Sequence, residues 1–287
     1  MWRILLLMAS IFFSIQSFAF GKLGHQLVCQ IAFDHLSPAK QQTITTMLAK
    51  LPNEHKKLIN KYTFQKQGSD ITFANACTWA DAIKSDKHYD AMKPWHYINV
   101  ERNETHIEKG RCKNDCITKG IEIHKTQLKN STDAWEKVQA LMFLGHWLGD
   151  IHQPLHVSFA SDWGGNKIKV NSPDGKCTNL HWLWDECLIT REHKAKQQWL
   201  NLLSQRWQTS PVTQWQNSDQ WQWANESLHL VRRPDLGYCH VSNGVCLMND
   251  DASHLYNQKY QETFSPIVQQ RILKAATRLA KQLEITL

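Results

Sequence analysis

Apolar and polar positions alternate along this chain mainly with helical spacing. Ser37-Pro38 places a capping residue before a proline at the first helical position, and a mixed polar and apolar run follows to Leu48. Ser265-Pro266 repeats that device. Beyond it Val268, Ile272, Ala276, Leu279 and Leu283 form an apolar stripe at helical spacing that continues to the C-terminus. Ala134 to Leu148 is apolar on more than one face, which predicts a long, buried, central helix. Lys167-Ile168-Lys169-Val170 followed by Pro173-Asp174-Gly175 predicts a short hairpin and its turn. The segment from Trp207 to Trp223, rich in Gln, Trp and Ser, is expected to be a surface excursion. No linker, repeat or low-complexity tract interrupts the pattern. The expected fold is all-α: a single mainly helical domain with a short β-hairpin.

The first residues follow a different pattern. Met1-Trp2-Arg3 leads into an apolar run from Ile4 to Phe13, and Ser17-Phe18-Ala19 offers small residues where a signal peptidase reads. The apolar run is too short for a permanent anchor. Residues 1–19 are therefore expected to be a signal peptide, and residues 20–287 the mature domain. That domain would be exported, periplasmic or secreted, with no membrane anchor after cleavage and monomeric.

Charge and cysteine content narrow the partners. The chain carries a formal charge of +7, compatible with a polyanionic substrate without demanding one. All eight cysteines, Cys29, Cys77, Cys112, Cys116, Cys177, Cys187, Cys239 and Cys246, lie after Ala19. An even count in an exported chain points to disulfides. Cys112/Cys116, Cys177/Cys187 and Cys239/Cys246 are near neighbours, which leaves Cys29/Cys77, but spacing alone does not fix the connectivity. Asn103, Asn130 and Asn225 begin glycosylation sequons, informative only in a eukaryotic host.

Two stretches hold most of the chemistry: 146–156, His-Trp-Leu-Gly-Asp-Ile-His-Gln-Pro-Leu-His, and 179–185, Asn-Leu-His-Trp-Leu-Trp-Asp. Each sets a histidine four residues before an aspartate. On a helix these positions share a face, so His146 with Asp150, and His181 with Asp185, can grip a metal from adjacent turns. Imidazole and carboxylate together suit zinc. With His156 the set exceeds what one ion needs, which implies a cluster and hydrolytic chemistry. His152, inside the first stretch, is read as a support behind the metal ligands or as structural, not as a ligand. Further pieces are Phe20-Gly21-Lys22-Leu23-Gly24-His25, Thr78-Trp79-Ala80-Asp81-Ala82-Ile83-Lys84, Trp95-His96-Tyr97-Ile98-Asn99, and an Asp-x-Gly-Gly-Asn turn at 162–166 expected to be scaffold.

Taken in order, these motifs resemble the zinc-dependent S1/P1 nuclease family, relatives of bacterial zinc phospholipase C, from Phe20 to at least Asp185. The resemblance implies three Zn2+. One is held by Asp81, His96, His146 and Asp150. A second is held by His25, Asp150 and the α-amine and carbonyl of Phe20, where the family usually has tryptophan. The third is held by His156, His181 and Asp185. It also implies that a metal-bridging hydroxide is the nucleophile, that Asp81 orients it, that Lys84 contacts phosphate, and that Tyr97 stacks on a base. Asn99 stands where some members use an aspartate for base contacts, and Asn179 lies near the metals as a cap or a substrate contact. The expected activity is endonucleolytic hydrolysis of single-stranded DNA and RNA to 5′-phosphorylated products, with 3′-nucleotidase action. The alternatives are a zinc phospholipase C of the same superfamily and a zinc-storing or nucleic-acid-binding protein without catalysis.

Overall fold

The protein was analysed as a computed structural model that describes residues 20–113, 115–249, 252–253 and 255–287. The expected signal peptide lies outside the described residues. Helices dominate the rest: α1 (Lys22–Asp34), α2 (Pro38–Ala49), α3 (Asn53–Tyr62), α4 (Phe73–Ala76), α5 (Trp79–Ala82), α6 (Ile117–Asn130), α7 (Ala134–Asp150), α8 (Leu180–Trp182), α9 (Leu188–Thr190), α10 (Lys196–Gln208), α11 (Val212–Gln216), α12 (Gln220–Val231) and α13 (Gln258–Thr286). Two small sheets complete the fold. β1 (Ile98–Val100) runs parallel to β2 (Val157–Phe159) with Asn99 opposite Ser158. β3 (Cys239–Ser242) and β4 (Val245–Met248) form an antiparallel hairpin. The mainly helical class read from the sequence holds.

α7 is the axis of the molecule. Asp133 caps it by accepting the Glu136 N–H at 2.7 Å. Every residue from Ala140 to Asp150 is buried, because α1, α5, α6 and α13 pack around it. Close packing here depends on missing side chains. A Cβ at Gly145 would collide with the Cys77 sulfur, and one at Gly149 would stand 2.6 Å from His25 Nδ1. The two glycines thus let the Cys29–Cys77 disulfide and the His25 ring lie against the helix. Cys29–Cys77 ties α1 to the end of α4, and Cys112–Cys116, Cys177–Cys187 and Cys239–Cys246 close local loops. These pairings resolve the connectivity that spacing left open. No helix among the described residues is long and apolar enough to cross a membrane.

Three sequence expectations need correction. Ser265-Pro266 does not start a helix: α13 begins at Gln258, capped by Asn257, which accepts the Tyr260 N–H at 2.9 Å, and Pro266 lies inside it. A proline in a helix interior costs about 3 kcal/mol. The burial of Tyr260, Phe264, Val268 and the stripe beyond outweighs that cost, and the Ser265 hydroxyl bonds Glu192 across the interface instead of capping. The hairpin expected at 167–175 is reduced to one antiparallel bridge, Lys169 to Asn179. Its ladder goes no further because Cys177, the residue opposite Asn171, has left-handed backbone at φ 48° and breaks the extended return segment. The true hairpin, β3–β4, lies elsewhere. The 207–223 segment lies mostly at the surface, with most residues exposed or half-buried, but it is an ordered helical part of the fold and not a free excursion. It contains the end of α10, α11 and the start of α12, with Trp215 and Trp223 buried in the core. Asn225 is also internally engaged: its side chain accepts the Ile107 N–H and donates to the Ile107 carbonyl.

Candidate metal centre

Eight of the expected donor side chains converge around the C-terminal end of α7. His146 and Asp150 come from its last turn, His25 from α1, Asp81 from α5, and His96 from the end of a 3₁₀ helix over Lys87–His96. His156 follows the turn after α7. His181 and Asp185 lie on α8 and the π-helical stretch beyond it. All are buried. They fall into three groups whose donor atoms crowd together: His25, Asp81 and His146; His96, His146 and Asp150; and His156, His181 and Asp185. The last is the set the resemblance implied. The other two share His146, and His25 Nε2 also stands 3.2 Å from Asp150 Oδ1. His146 Nε2 is 3.4 Å from Asp150 Oδ2 and 3.6 Å from Asp81 Oδ1.

Backbone carbonyls fix the tautomers. His146 Nδ1 lies 2.7 Å from the Cys77 carbonyl, His156 Nδ1 2.6 Å from the His96 carbonyl, and His181 Nδ1 2.7 Å from the Gly164 carbonyl. A carbonyl oxygen only accepts, so in each ring Nδ1–H donates and Nε2 carries a lone pair aimed into the centre. The lone pairs of His156 and His181 then face each other at 3.2 Å.

This donor set fits divalent cations. Burial holds His25, His96 and His146 well below the usual imidazole range and brings His156 and His181 down to about 4, so the rings are neutral. Burial likewise raises Asp150 well above the usual carboxylate range, with the Asp81 charge adding to the effect, and pushes Asp185 up to about 7. Both His25 nitrogens, His146 Nε2, Asp150 Oδ1 and Asp185 Oδ2 are buried without a hydrogen-bond partner. Native interiors rarely leave such atoms unpaired, and coordinated zinc would satisfy neutral imidazoles and carboxylates together.

The remaining expected site residues have definite places. Lys84 lies 2.6 Å from Asp81 Oδ1. Phe20 is buried in the core, and the next residue, Gly21, donates its N–H to the Asp185 carbonyl at 2.7 Å. Tyr97 is exposed and Asn99 is exposed on β1, next to the turn that carries His96. Asn179 caps α8, accepting the Trp182 N–H at 2.8 Å. His152 is structural: its Nδ1–H donates to the Leu148 carbonyl and its Nε2 accepts from Arg278.

Two residues, Gln153 and Tyr62, escaped the sequence reading. Gln153 donates to Asp185 Oδ1 and accepts the Leu155 N–H at 2.6 Å, which braces the turn between Asp150 and His156. Its position between two histidines was the available signal. Tyr62 donates to Asp81 Oδ2 at 3.4 Å, with nothing in the sequence to mark it. Asp162, read from the sequence as part of a scaffold turn, does serve as one: it accepts from Tyr238 and from the Gly165 N–H and pairs with Arg102, and so fixes the loop whose Gly164 carbonyl orients His181.

A profile of the S1/P1 nuclease family matches residues 20–287. Endonuclease 2 of Arabidopsis thaliana is 32% identical over 181 residues, covering 59% of this chain and 56% of that protein. Nuclease S1 of Aspergillus oryzae is 32% identical over 176 residues, 59% of this chain and 54% of that protein. The chain thus spans little more than half the length of these relatives. Endonuclease 1 of Arabidopsis thaliana is 28% identical over 288 residues, 91% of this chain and 85% of that protein.

Proposed function

This chain belongs to the S1/P1 nuclease family, and from that premise we propose that it is a zinc-dependent endonuclease acting on single-stranded DNA and RNA. The products would carry 5′-phosphates, and 3′-nucleotides would also be hydrolysed. The observation that carries the reading is the set of buried imidazole and carboxylate atoms that lack protein partners. Three zinc ions are the count that the three donor groups support. When bound, zinc supplies Lewis-acid charge at the phosphoryl oxygens and lowers the pKa of the water that serves as nucleophile.

The chain's own residues would do the rest. His146, His156 and His181, held as lone-pair donors by backbone carbonyls, keep the centre fixed without rearrangement. Asp81 has one carboxylate oxygen against Lys84 and the other near the Tyr62 hydroxyl. It can hold and orient a proton donor while sharing in metal binding. Lys84 brings an ammonium to the edge of the donor cavity, suited to a non-bridging phosphate oxygen. The exposed ring of Tyr97 offers a stacking face, worth about 1–3 kcal/mol for an unpaired base and blind to base identity. Stacking of this kind favours single strands.

Export is part of the proposal. The four disulfides support an oxidising compartment, and release of the Phe20 amine would complete the His25 end of the donor set. Incubation of the processed, zinc-loaded protein with single-stranded and duplex oligonucleotides tests the reading. Single strands should be cut to 5′-phosphorylated products and the chelated protein should be inert. Equal cleavage of the duplex, or full activity after chelation, overturns it. N-terminal sequencing and zinc stoichiometry of the same sample check processing and the count of three.

A further inference from the structure

α3 ends in a turn where glycine is the usual residue. Phe64 N–H bonds the Lys61 carbonyl at 3.3 Å and Gln65 N–H bonds the Asn60 carbonyl at 2.8 Å. The residue between these bonds adopts left-handed backbone in such a turn. Here that residue is Phe64, at φ 56°. A phenylalanine carries a conformational cost there that glycine avoids. Burial gives nothing back, because the side chain is 85% exposed. The Lys22 ammonium stands 3.6 Å from its ring centroid, pinning one face of the ring and leaving most of its surface open.

The ring overlooks a cleft of about 570 Å³ whose wall also includes Lys22, Lys61, Tyr62, Asp185 and Glu186. That volume is in the range of small-ligand sites. Asp185 belongs to the third donor group, and Tyr62 donates to Asp81 of the first. The cleft therefore adjoins the metal centre. Glu186 is held by the Trp182 indole N–H at 3.1 Å, and Lys22 and Lys61 supply positive charge along the wall. An open aromatic face, two ammonium groups and a catalytic neighbour together suit one class of ligand.

We propose that this cleft is a nucleotide subsite: the base of a nucleotide near the cleaved linkage stacks on Phe64, and its phosphate is neutralised by Lys22 and Lys61. The proposal rests on the nuclease reading. It gives the enzyme a second base platform besides Tyr97, so that binding strength depends on strand length and not on sequence.

Phe64→Gly is the informative variant, because glycine relieves the left-handed backbone and the fold should melt no lower than the parent. Binding is read by fluorescence anisotropy with a labelled single-stranded oligonucleotide whose phosphorothioate linkages resist cleavage. Turnover is read with the ordinary phosphodiester strand. Loss of one base stack should weaken binding and raise KM by roughly tenfold or more, with kcat little changed. In the parent, a single abasic residue moved along the strand should cause the same loss at one position, and Phe64→Gly should abolish that positional effect. Lys22→Gln should flatten the salt dependence of binding. Unchanged affinity in Phe64→Gly, or losses from the variant and the abasic residue that simply add, would overturn the subsite. Failure of the nuclease reading looks different: the parent would not cut the ordinary strand, whatever happens to Phe64-dependent binding.

Discussion

Two buried polar regions meet at the same short turn and differ in one respect. On one side of residues 151–156 lies the metal centre, where imidazole nitrogens and carboxylate oxygens are left without protein partners. On the other side lies a charged cluster in which every group is answered. Glu226 accepts from Arg271 at 2.6 Å and from Arg278 at 2.6 and 2.9 Å, with Lys274 at 3.2 Å. Arg271 also donates to the His152 carbonyl and to the Ser227 hydroxyl, which itself donates to the Ile151 carbonyl. Arg278 donates to His152 Nε2 at 2.7 Å. Burial alone therefore does not mark a functional centre. The distinguishing sign is desolvation without compensation. The completed cluster holds the turn that the incomplete one needs, because Asp150, Gln153 and His156 all depend on its path.

The comparison breaks most sharply at His146. His146→Ala removes a donor shared by two of the three groups without disturbing the Glu226 cluster. Metal contributions to phosphoryl transfer amount to several kcal/mol, so single-strand cleavage should fall by more than about 10³-fold. Zinc content should drop while the circular dichroism spectrum stays native. A variant that keeps its zinc and cuts at near-parent rates would show that the unpartnered atoms are not metal donors.

The satisfied cluster should fail in the opposite way. Glu226→Gln removes the counter-charge of two buried guanidinium groups; breaking a fully buried pair costs about 3–5 kcal/mol, and the 30% exposure of the Glu226 side chain makes the loss here smaller. Stability should suffer first, and activity only through the turn. The pH dependence has a definite sign. Burial would raise the Glu226 carboxyl, but hydrogen bonds and charge from Arg278 and Arg271 outweigh it and hold it well below the usual range. The unfolded chain therefore binds the proton more readily. The contribution is full above about pH 4.5, the ordinary value, and is lost as pH falls below it. Denaturant melts of parent and Glu226→Gln should differ most at neutral pH and converge in acid. A gap that is constant with pH would mean that Glu226 is not ionised in the folded state.

The two regions were unequally legible in the sequence. His146 with Asp150 and His181 with Asp185 announce themselves because four residues is one helical turn, so the spacing itself states the geometry. Arg271 and Arg278 lie 45 and 52 residues from Glu226, and no local pattern connects them until α12 and α13 pack. Tyr62 and Phe64 were invisible for a similar reason. The first reaches Asp81 across 19 residues, and the second matters for a backbone angle that composition does not encode. Pro266 misled because a proline next to a serine is the same signal at a helix start and inside a helix whose buried face overrides it. The hairpin expected at 167–175 survives as a single bridge because Cys177 leaves extended backbone, a conformation that its place in the sequence does not announce.

Gln153 belongs to both regions and gives the smallest, most discriminating test. It lies on the turn that the Glu226 cluster secures, yet its side chain serves Asp185. Gln153→Leu keeps the volume and removes both hydrogen bonds, the one to Asp185 and the one from the Leu155 N–H. A group that orients a metal ligand typically changes metal affinity by about 10–100-fold, less than the loss of a ligand. Competition with a graded chelator should show the weakest-bound zinc released at roughly tenfold lower chelator concentration, with the others retained. The buried Leu155 N–H loses its acceptor in the same variant, so the zinc-loaded protein should also be less stable by about 1–3 kcal/mol, although the turn keeps its backbone bonds to Ser227 and Arg271. If Gln153→Leu lowers stability with zinc affinity unchanged, Gln153 braces the turn without orienting Asp185, and the boundary between the satisfied region and the unsatisfied one lies at Asp185 itself.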